Sequence, residues 1–349
     1  MKIYFLIQFI VLLTFALSIK GDCKINSNMV EVTNRLFTYR DEAGAYQLLR
    51  TETVPSGLTL HMFCHGGDVI EAQCQDDGQF SARFPMRCSK PMVANAKPVR
   101  DNECAGQMYS IGHQINGAHL ELFRSCYDAT NGRVLYAESD VYYKSYFPRR
   151  PFVDVTTDEI VTPAEGTSYI KSNIYRVFCS IFGNEQKYWP SPYHLIINRG
   201  HLVASADFLF VDQMSSTFRY INFVPQCKSI NDGNWEKIER WVRSQIPRSS
   251  PFHIKTGGID VLNLADVNGY DRPVYLYNSK LPVPQWIYKV VRDVASGKRI
   301  YVFLSFNSVF QRNPPSVPDF CQAVSCPFYL WQDSEKGYIF CCNPEKFQF

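Results

Sequence analysis

An α+β fold, a large antiparallel sheet flanked by helices, is what this sequence predicts, and three observations carry the prediction. Strand-like runs recur from Glu103 onward: Val134-Leu135-Tyr136-Ala137, Pro273-Val274-Tyr275-Leu276-Tyr277 and Arg299-Ile300-Tyr301-Val302-Phe303-Leu304. One segment, Trp235 to Gln245, is strongly helical. No regular alternation of strand and helix appears, which argues against a parallel layout. With 349 residues, 46% of them hydrophobic and 15% aromatic, the chain buries a large core and is not disordered. That length suggests two domains, or one large domain with an appendage.

The elements follow in chain order. Met1-Lys2-Ile3, an apolar run from Tyr4 to Leu17 and then Ser18-Ile19-Lys20-Gly21 read as a secretory signal over residues 1–21, cleaved close to Ser18 or Gly21. The run is too short to span a bilayer comfortably, and no later segment is long and apolar enough to do so. A soluble, exported, extracellular protein without a membrane span is expected.

Residues 22–100 hold Cys23, Cys64, Cys74 and Cys88, β-like runs such as Gly57-Leu58-Thr59-Leu60-His61-Met62-Phe63, and turn signals at Gly66-Gly67 and Asp76-Asp77-Gly78. They read as a small disulfide-stapled β module, followed by a linker-like stretch through Lys90-Pro91 and Lys97-Pro98. His61 and His65, four apart, would share a helix face as metal ligands. The glycines and the β context favour ordinary surface histidines instead.

All 12 cysteines lie beyond the leader, and an even count in an exported chain implies a disulfide framework. No Cys-x-x-Cys unit is present to suggest zinc. Adjacent Cys341 and Cys342 need different partners, and Cys321 and Cys326 are the natural candidates for at least one of them.

The charge balance is nearly even. Lys+Arg 36 against Asp+Glu 33 gives +3, and losing Lys2 and Lys20 with the leader leaves +1. A protein that grips nucleic acid through bulk charge is far more basic, so any such affinity belongs to a local basic cleft.

In the helical segment, about 100° per residue puts Trp235, Ile238 and Val242 on one core stripe. Glu239 and Arg243 fall beside it, four apart. Taken alone they read as an ordinary surface ion pair. Asp232-Gly233-Asn234 reads as a turn and N-cap, with Asn231 just ahead of the helix.

The most informative stretch runs from Asn198 to Arg243: Asn198-Arg199-Gly200-His201, Asn222, Pro225-Gln226, Asn231-Asp232-Gly233-Asn234-Trp235, Glu239 and Arg243. Arginines, one histidine, carbonyl-bearing amides and a glutamate are the parts needed to cut a phosphodiester with a hard metal ion. Arg199-Gly200-His201, Ile221-Asn222-Phe223-Val224-Pro225-Gln226 and Asn231 through Glu239 resemble the signature of the DNA/RNA non-specific endonuclease family, the ββα-metal nucleases with an Asp-Arg-Gly-His motif. The branch most resembled is the secreted arthropod one of gut and saliva. Similarity extends to Cys104-Ala105-Gly106-Gln107-Met108-Tyr109-Ser110-Ile111-Gly112, Gly257-Gly258, Pro282-Val283-Pro284-Gln285-Trp286 with Lys289-Val290-Val291, and the closing cysteines, so it covers about residues 101–349.

The resemblance implies roles residue by residue. His201 matches the general base that deprotonates the attacking water, a task suited to neutral imidazole. Asn231 matches the direct metal ligand, a hard amide oxygen on a Mg²⁺ that keeps most of its waters, with Mn²⁺ as a substitute. Glu239 matches an acceptor for the metal-bound waters. Arg199 and Arg243 match phosphate-binding positions, and Asn222 and Gln226 supporting amides. The products implied are 5′-phosphorylated, from DNA and RNA alike.

One departure is visible. Asn198 stands where the family motif has aspartate, keeping shape and hydrogen bonding but removing a charge. Two functional classes therefore follow: an active sugar-non-specific endonuclease, or a nucleic-acid-binding protein on a nuclease scaffold with weak or residual activity. His201, Asn231 and Glu239 together favour the first, because a binding module needs neither base nor ligand. A disulfide-rich structural or adhesive protein is a third class, disfavoured by the ordered motif set.

Overall fold

Nine antiparallel strands form the main sheet of the structure, a computed structural model that describes residues 21–84 and 87–349. Across the sheet they run Ala323–Val324, Ile339–Cys342, Arg299–Phe306, Pro284–Asp293, Phe252–Val261, Arg133–Val141, Ala118–Asp128, Gln107–Ile115 and Asn95–Val99. The apolar leader read at the N-terminus, up to Lys20, lies outside the described residues.

Each long strand carries apolar residues on both faces, and each face is covered. On Arg299–Phe306, Phe303 packs into one core with Ile254 and Val291, while Val302 and Leu304 pack into another with Tyr136, Trp286 and Tyr288. The helix Glu236–Gln245 lies on the Phe303 face. Ile238 and Val242 from this helix and Trp235 just before it are all buried there, as the 3.6-residue periodicity requires, each contributing roughly 1.5–3 kcal/mol.

Three readings need correction. The stretch around Lys97-Pro98, read as linker-like, is the edge strand of the main sheet, with Pro98 opposite Tyr109. An edge is where a strand tolerates a residue with no N–H to donate. The run Pro273–Tyr277 is not one strand but two short pieces, Asp271–Pro273 and Tyr275–Tyr277, with different partners. Between them, buried Val274 donates its N–H to Leu262 and accepts from Val283.

The third correction concerns the entry to the site helix. The chain is already helical at Lys228–Ile230 and continues through a widened turn at Asn231–Trp235, broken at Gly233 (φ −108°, ψ −113°). Asn234 does not cap the helix. Fully buried, it donates to the carbonyls of Trp331 (2.7 Å) and Gly337 (2.8 Å) and accepts from Trp331 N (3.0 Å). It thus ties the helix entry to the C-terminal segment, whose disulfides Cys321–Cys342 and Cys326–Cys341 give the adjacent cysteines different partners.

The framework includes ten of the twelve cysteines; Cys179 and buried Cys227 remain thiols. Cys227 lies at the end of a strand, its Sγ 3.5 Å from the Asn307 carbonyl.

In the N-terminal region, Tyr46–Leu48, Leu36–Arg40, Thr59–Phe63 and Val69–Gln73 make a four-stranded antiparallel sheet, stapled by Cys23–Cys74 and Cys64–Cys88. Its core includes Leu209 and Phe210, with Phe37 and Phe210 stacked at 4.5 Å. Arg50 donates to the carbonyls of Leu122 (3.3 Å) and Asp140 (2.8 Å), and Gln213 donates to that of Leu49 (2.8 Å). His61 sits on a strand and is buried beside Glu71 and the Tyr46 ring, so it is not the surface histidine expected; His65 is exposed. No helix among the described residues is long and apolar enough to cross a membrane.

Candidate active site

The motif residues are presented by a two-stranded hairpin, Ile197–His201 with Phe223–Cys227. Its register sets Asn198 opposite Gln226, Arg199 opposite Pro225, Gly200 opposite Val224 and His201 opposite Phe223. Arg199 and His201, two apart, share one face. Gly200 is required by close approach: a Cβ there would lie 2.2 Å from Gln226 Oε1 and 2.7 Å from Gln226 Cβ. Fully buried Asn222 fixes the turn after His201, accepting from Val203 N (2.9 Å) and donating to the carbonyls of Val203 (2.9 Å) and Thr217 (3.0 Å). The two amides read as supporting are thus structural neighbours of the motif, and both are buried.

Asn198, Arg199 and His201 open onto a cleft of about 470 Å³ together with Asn231 and Asp232 from the helix entry. The cleft is also lined by a segment the motif did not announce: Arg149, Arg150, Pro151, Phe152, Val153 and Val155. Among the described residues, Arg149, Arg150 and Arg199 make no ion pair with a carboxylate, so three guanidiniums share one opening.

His201 packs edge-on against Phe218 (5.0 Å) and Phe223 (4.6 Å), and its Nε2 is buried without a hydrogen-bond partner. Burial, reinforced by the cations Arg150 and Arg199, pushes its pKa down to about 3. The imidazole is therefore neutral at ordinary pH, with a lone pair to offer.

Asn231 donates its amide N–H to Asp232 Oδ1 (3.1 Å), leaving its own Oδ1 unengaged among the described residues, and Asp232 pairs with Lys228. The cleft's candidate metal donors are thus two amides, Asn198 and Asn231, and one carboxylate, Asp232. No group of three or more His, Cys, Asp or Glu suited to a metal occurs among the described residues. Few, hard oxygen donors fit a cation that keeps most of its water and do not fit a site built on nitrogen and sulfur.

Glu239 and Arg243 do not line the cleft. They lie further along the helix in a buried ionic cluster, with side chains 14% and 7% exposed and Arg243 Nη1 3.9 Å from Glu239 Oε2. The partner of Arg243 is Asp207, at 2.8 Å, so the pair is no ordinary surface one. Burial raises the Glu239 pKa, against the pull of Lys289 and Arg243; burial lowers that of Lys289, whose ammonium donates to Thr256 Oγ1 at 2.9 Å. Lys144 donates to the carbonyls of Ala206 and Phe208 (2.7 Å), bracketing Asp207.

Asp207, Lys144 and Lys289 gave no local signal, because their partners are distant in sequence. Arg149 and Arg150 did give one, two cations beside a proline in a stretch without periodicity.

The model of the DNA/RNA non-specific endonuclease family matches residues 104–347. The chain belongs to that family. The matched span takes in both the hairpin and the helix entry. The chain is 26% identical to the salivary endonuclease of Lutzomyia longipalpis over 303 residues, which is 83% of this chain and 72% of that protein. It is also similar to the salivary proteins Tsal2A (24% over 345 residues, 90% and 84% covered) and Tsal1 (24% over 300 residues, 82% and 73% covered) of Glossina morsitans morsitans.

Proposed function

We propose that this family member is a secreted, Mg²⁺-dependent, sugar-non-specific endonuclease that hydrolyses phosphodiester bonds of DNA and RNA to 5′-phosphorylated products. The observation that carries this reading is the cleft itself, where neutral His201, its Nε2 without a hydrogen-bond partner among the described residues, shares one opening with three guanidiniums that pair with no carboxylate among those residues and with the oxygen donors of Asn231 and Asp232.

In this reading Asn231 would hold the cation directly, and Glu239, set back from the cleft lining, would supply negative charge toward its waters. When bound, the metal polarises the scissile phosphate and stabilises the leaving 3′ oxygen. His201 takes the proton of the attacking water, and its depressed pKa keeps the imidazole free to accept it. Arg199, with Arg149 and Arg150 in the same cleft, neutralises the phosphate and the charge that grows on it. Arg243, engaged by Asp207, supports the phosphate site by fixing Glu239 and the helix rather than from the cleft wall. Asn222 and Gln226 hold the hairpin on which Arg199 and His201 ride. Mn²⁺ satisfies the same donor set.

The specific observation behind a second reading is Asn198. A missing carboxylate weakens the hold on the cation, and a protein that keeps its phosphate grip with little turnover would be a nucleic-acid-binding relative. Titrating Mg²⁺ into the wild-type protein and Asn231→Ala with plasmid DNA and RNA separates the two. Metal-dependent cutting lost in the variant supports the enzyme, and binding without cutting at any Mg²⁺ concentration supports the second reading.

A further inference from the structure

Part of the cleft lining is a strap with no regular structure, running between the strand that ends at Val141 and a bridge at Thr156. Both its ends are fixed. Ser145 donates from its N–H (2.8 Å) and hydroxyl (3.0 Å) to Glu52, and Lys144 holds the Ala206 and Phe208 carbonyls. At the other end Thr156 N donates to the Phe218 carbonyl and Tyr220 N to the Thr156 carbonyl, both at 3.1 Å. Pro148 and Pro151 lock their own φ angles and bias Phe147 and Arg150 toward extended backbone.

This strap, anchored at both ends, sets the Phe152 ring in water at the cleft, fully exposed at 103%. The other exposed aromatics among the described residues, Phe147 on the same strap included, do not line the cleft. Beside Phe152 on the strap stand Arg149 and Arg150, without carboxylate partners among the described residues; the Arg150 guanidinium lies 4.8 Å from the Phe218 ring centroid. An uncovered aromatic ring next to guanidiniums that pair with no carboxylate among the described residues matches a ligand that repeats a flat ring and an anionic ester. In a duplex the base faces are covered by their neighbours, so only an unpaired or splayed base offers a face to stack on.

We propose that Phe152 is a stacking platform for an unpaired base of a nucleic-acid strand in the cleft, with Arg149 and Arg150 holding the adjacent phosphates. The site then favours single-stranded or locally opened substrate over intact duplex. The proposal rests on the endonuclease reading, and its test keeps the two apart.

Binding of short oligothymidylate, an abasic strand of equal length and a duplex is measured in EDTA for wild type, Phe152→Ala and Phe152→Trp. Thermal melts verify that the exposed substitutions leave the fold alone. Phe152→Ala is expected to lose roughly 5- to 150-fold in affinity for oligothymidylate, the worth of one base–aromatic stack, and almost nothing for the abasic strand. Phe152→Trp retains the preference for the strand with bases. With Mg²⁺ present, KM for single strands rises in Phe152→Ala while kcat holds. If wild type prefers oligothymidylate and Phe152→Ala keeps that preference, the platform is overturned while the nuclease reading stands. A wild-type protein that binds none of the three ligands overturns both.

Discussion

Replacing Gly200 by alanine tests how the hairpin presents Arg199 and His201. The new Cβ would stand 2.7 Å from the Cβ of Gln226 and 2.2 Å from its Oε1. Carbon–carbon contact becomes comfortable near 3.5 Å, so the approach has to open by about 0.8 Å. Gln226 is 1% exposed and has no route to solvent, so the two strands must part. Overpacking of this kind costs about 1–3 kcal/mol. A displacement near 1 Å of groups that must meet a phosphate costs on the order of 100-fold in rate. Gly200→Ala is therefore expected to melt several degrees lower and to cut plasmid about 100-fold more slowly at the same Mg²⁺ concentration. Adding Gln226→Gly removes the opposing side chain and restores at least part of the lost rate, a non-additive pair. A single variant that cuts at the wild-type rate, or a double variant no faster than the single, would refute the close-approach argument.

Other outcomes follow from the same geometry. His201 acts as the neutral form and its pKa is held well below 6.5, so kcat/KM should stay level between about pH 8 and pH 5. An unshifted imidazole would lose about 30-fold over that range, and a pH profile with an acid limb near 6.5 contradicts the buried base. Asp207→Asn removes the negative charge 2.8 Å from Arg243 but keeps an oxygen to accept its hydrogen bond; Glu239, 3.9 Å away, takes over part of the charge pairing, so the loss in urea denaturation should fall toward the low end of about 3–5 kcal/mol. The diverted Glu239 should also raise the Mg²⁺ needed for half-maximal cutting. Asn198→Asp keeps the bond accepted from Arg199 N (2.8 Å) while adding a charge, so it should lower the Mg²⁺ requirement several-fold; no gain would show the asparagine to be neutral in this background.

Much of this was legible in the sequence where periodicity reports burial. Val134–Ala137 and Arg299–Leu304 lie within long strands of the main sheet, and Trp235, Ile238 and Val242 form the expected stripe. Local rules failed where a distant partner decides. Lys97-Pro98 has linker composition but finds an edge position next to Tyr109, and Asn234 has cap chemistry but is claimed by Trp331 and Gly337, about a hundred residues on. Of the site residues, Asn198, Arg199, His201 and Asn231 line one cleft. Glu239 and Arg243 looked like a surface pair because helix spacing reveals neighbours on the helix and says nothing of Asp207 or Lys289 packed over them. Even cysteine parity misled, since it cannot show that Cys179 and Cys227 stay apart.

The most direct test of the account places wild type and His201→Ala side by side with supercoiled plasmid and with RNA, in Mg²⁺ and in EDTA, reading cutting and gel retardation in the same lanes. The account predicts Mg²⁺-dependent cutting of both polymers by wild type, and retardation without cutting by the variant. Cutting by His201→Ala at the wild-type rate, or no cutting by wild type in Mg²⁺, would contradict it.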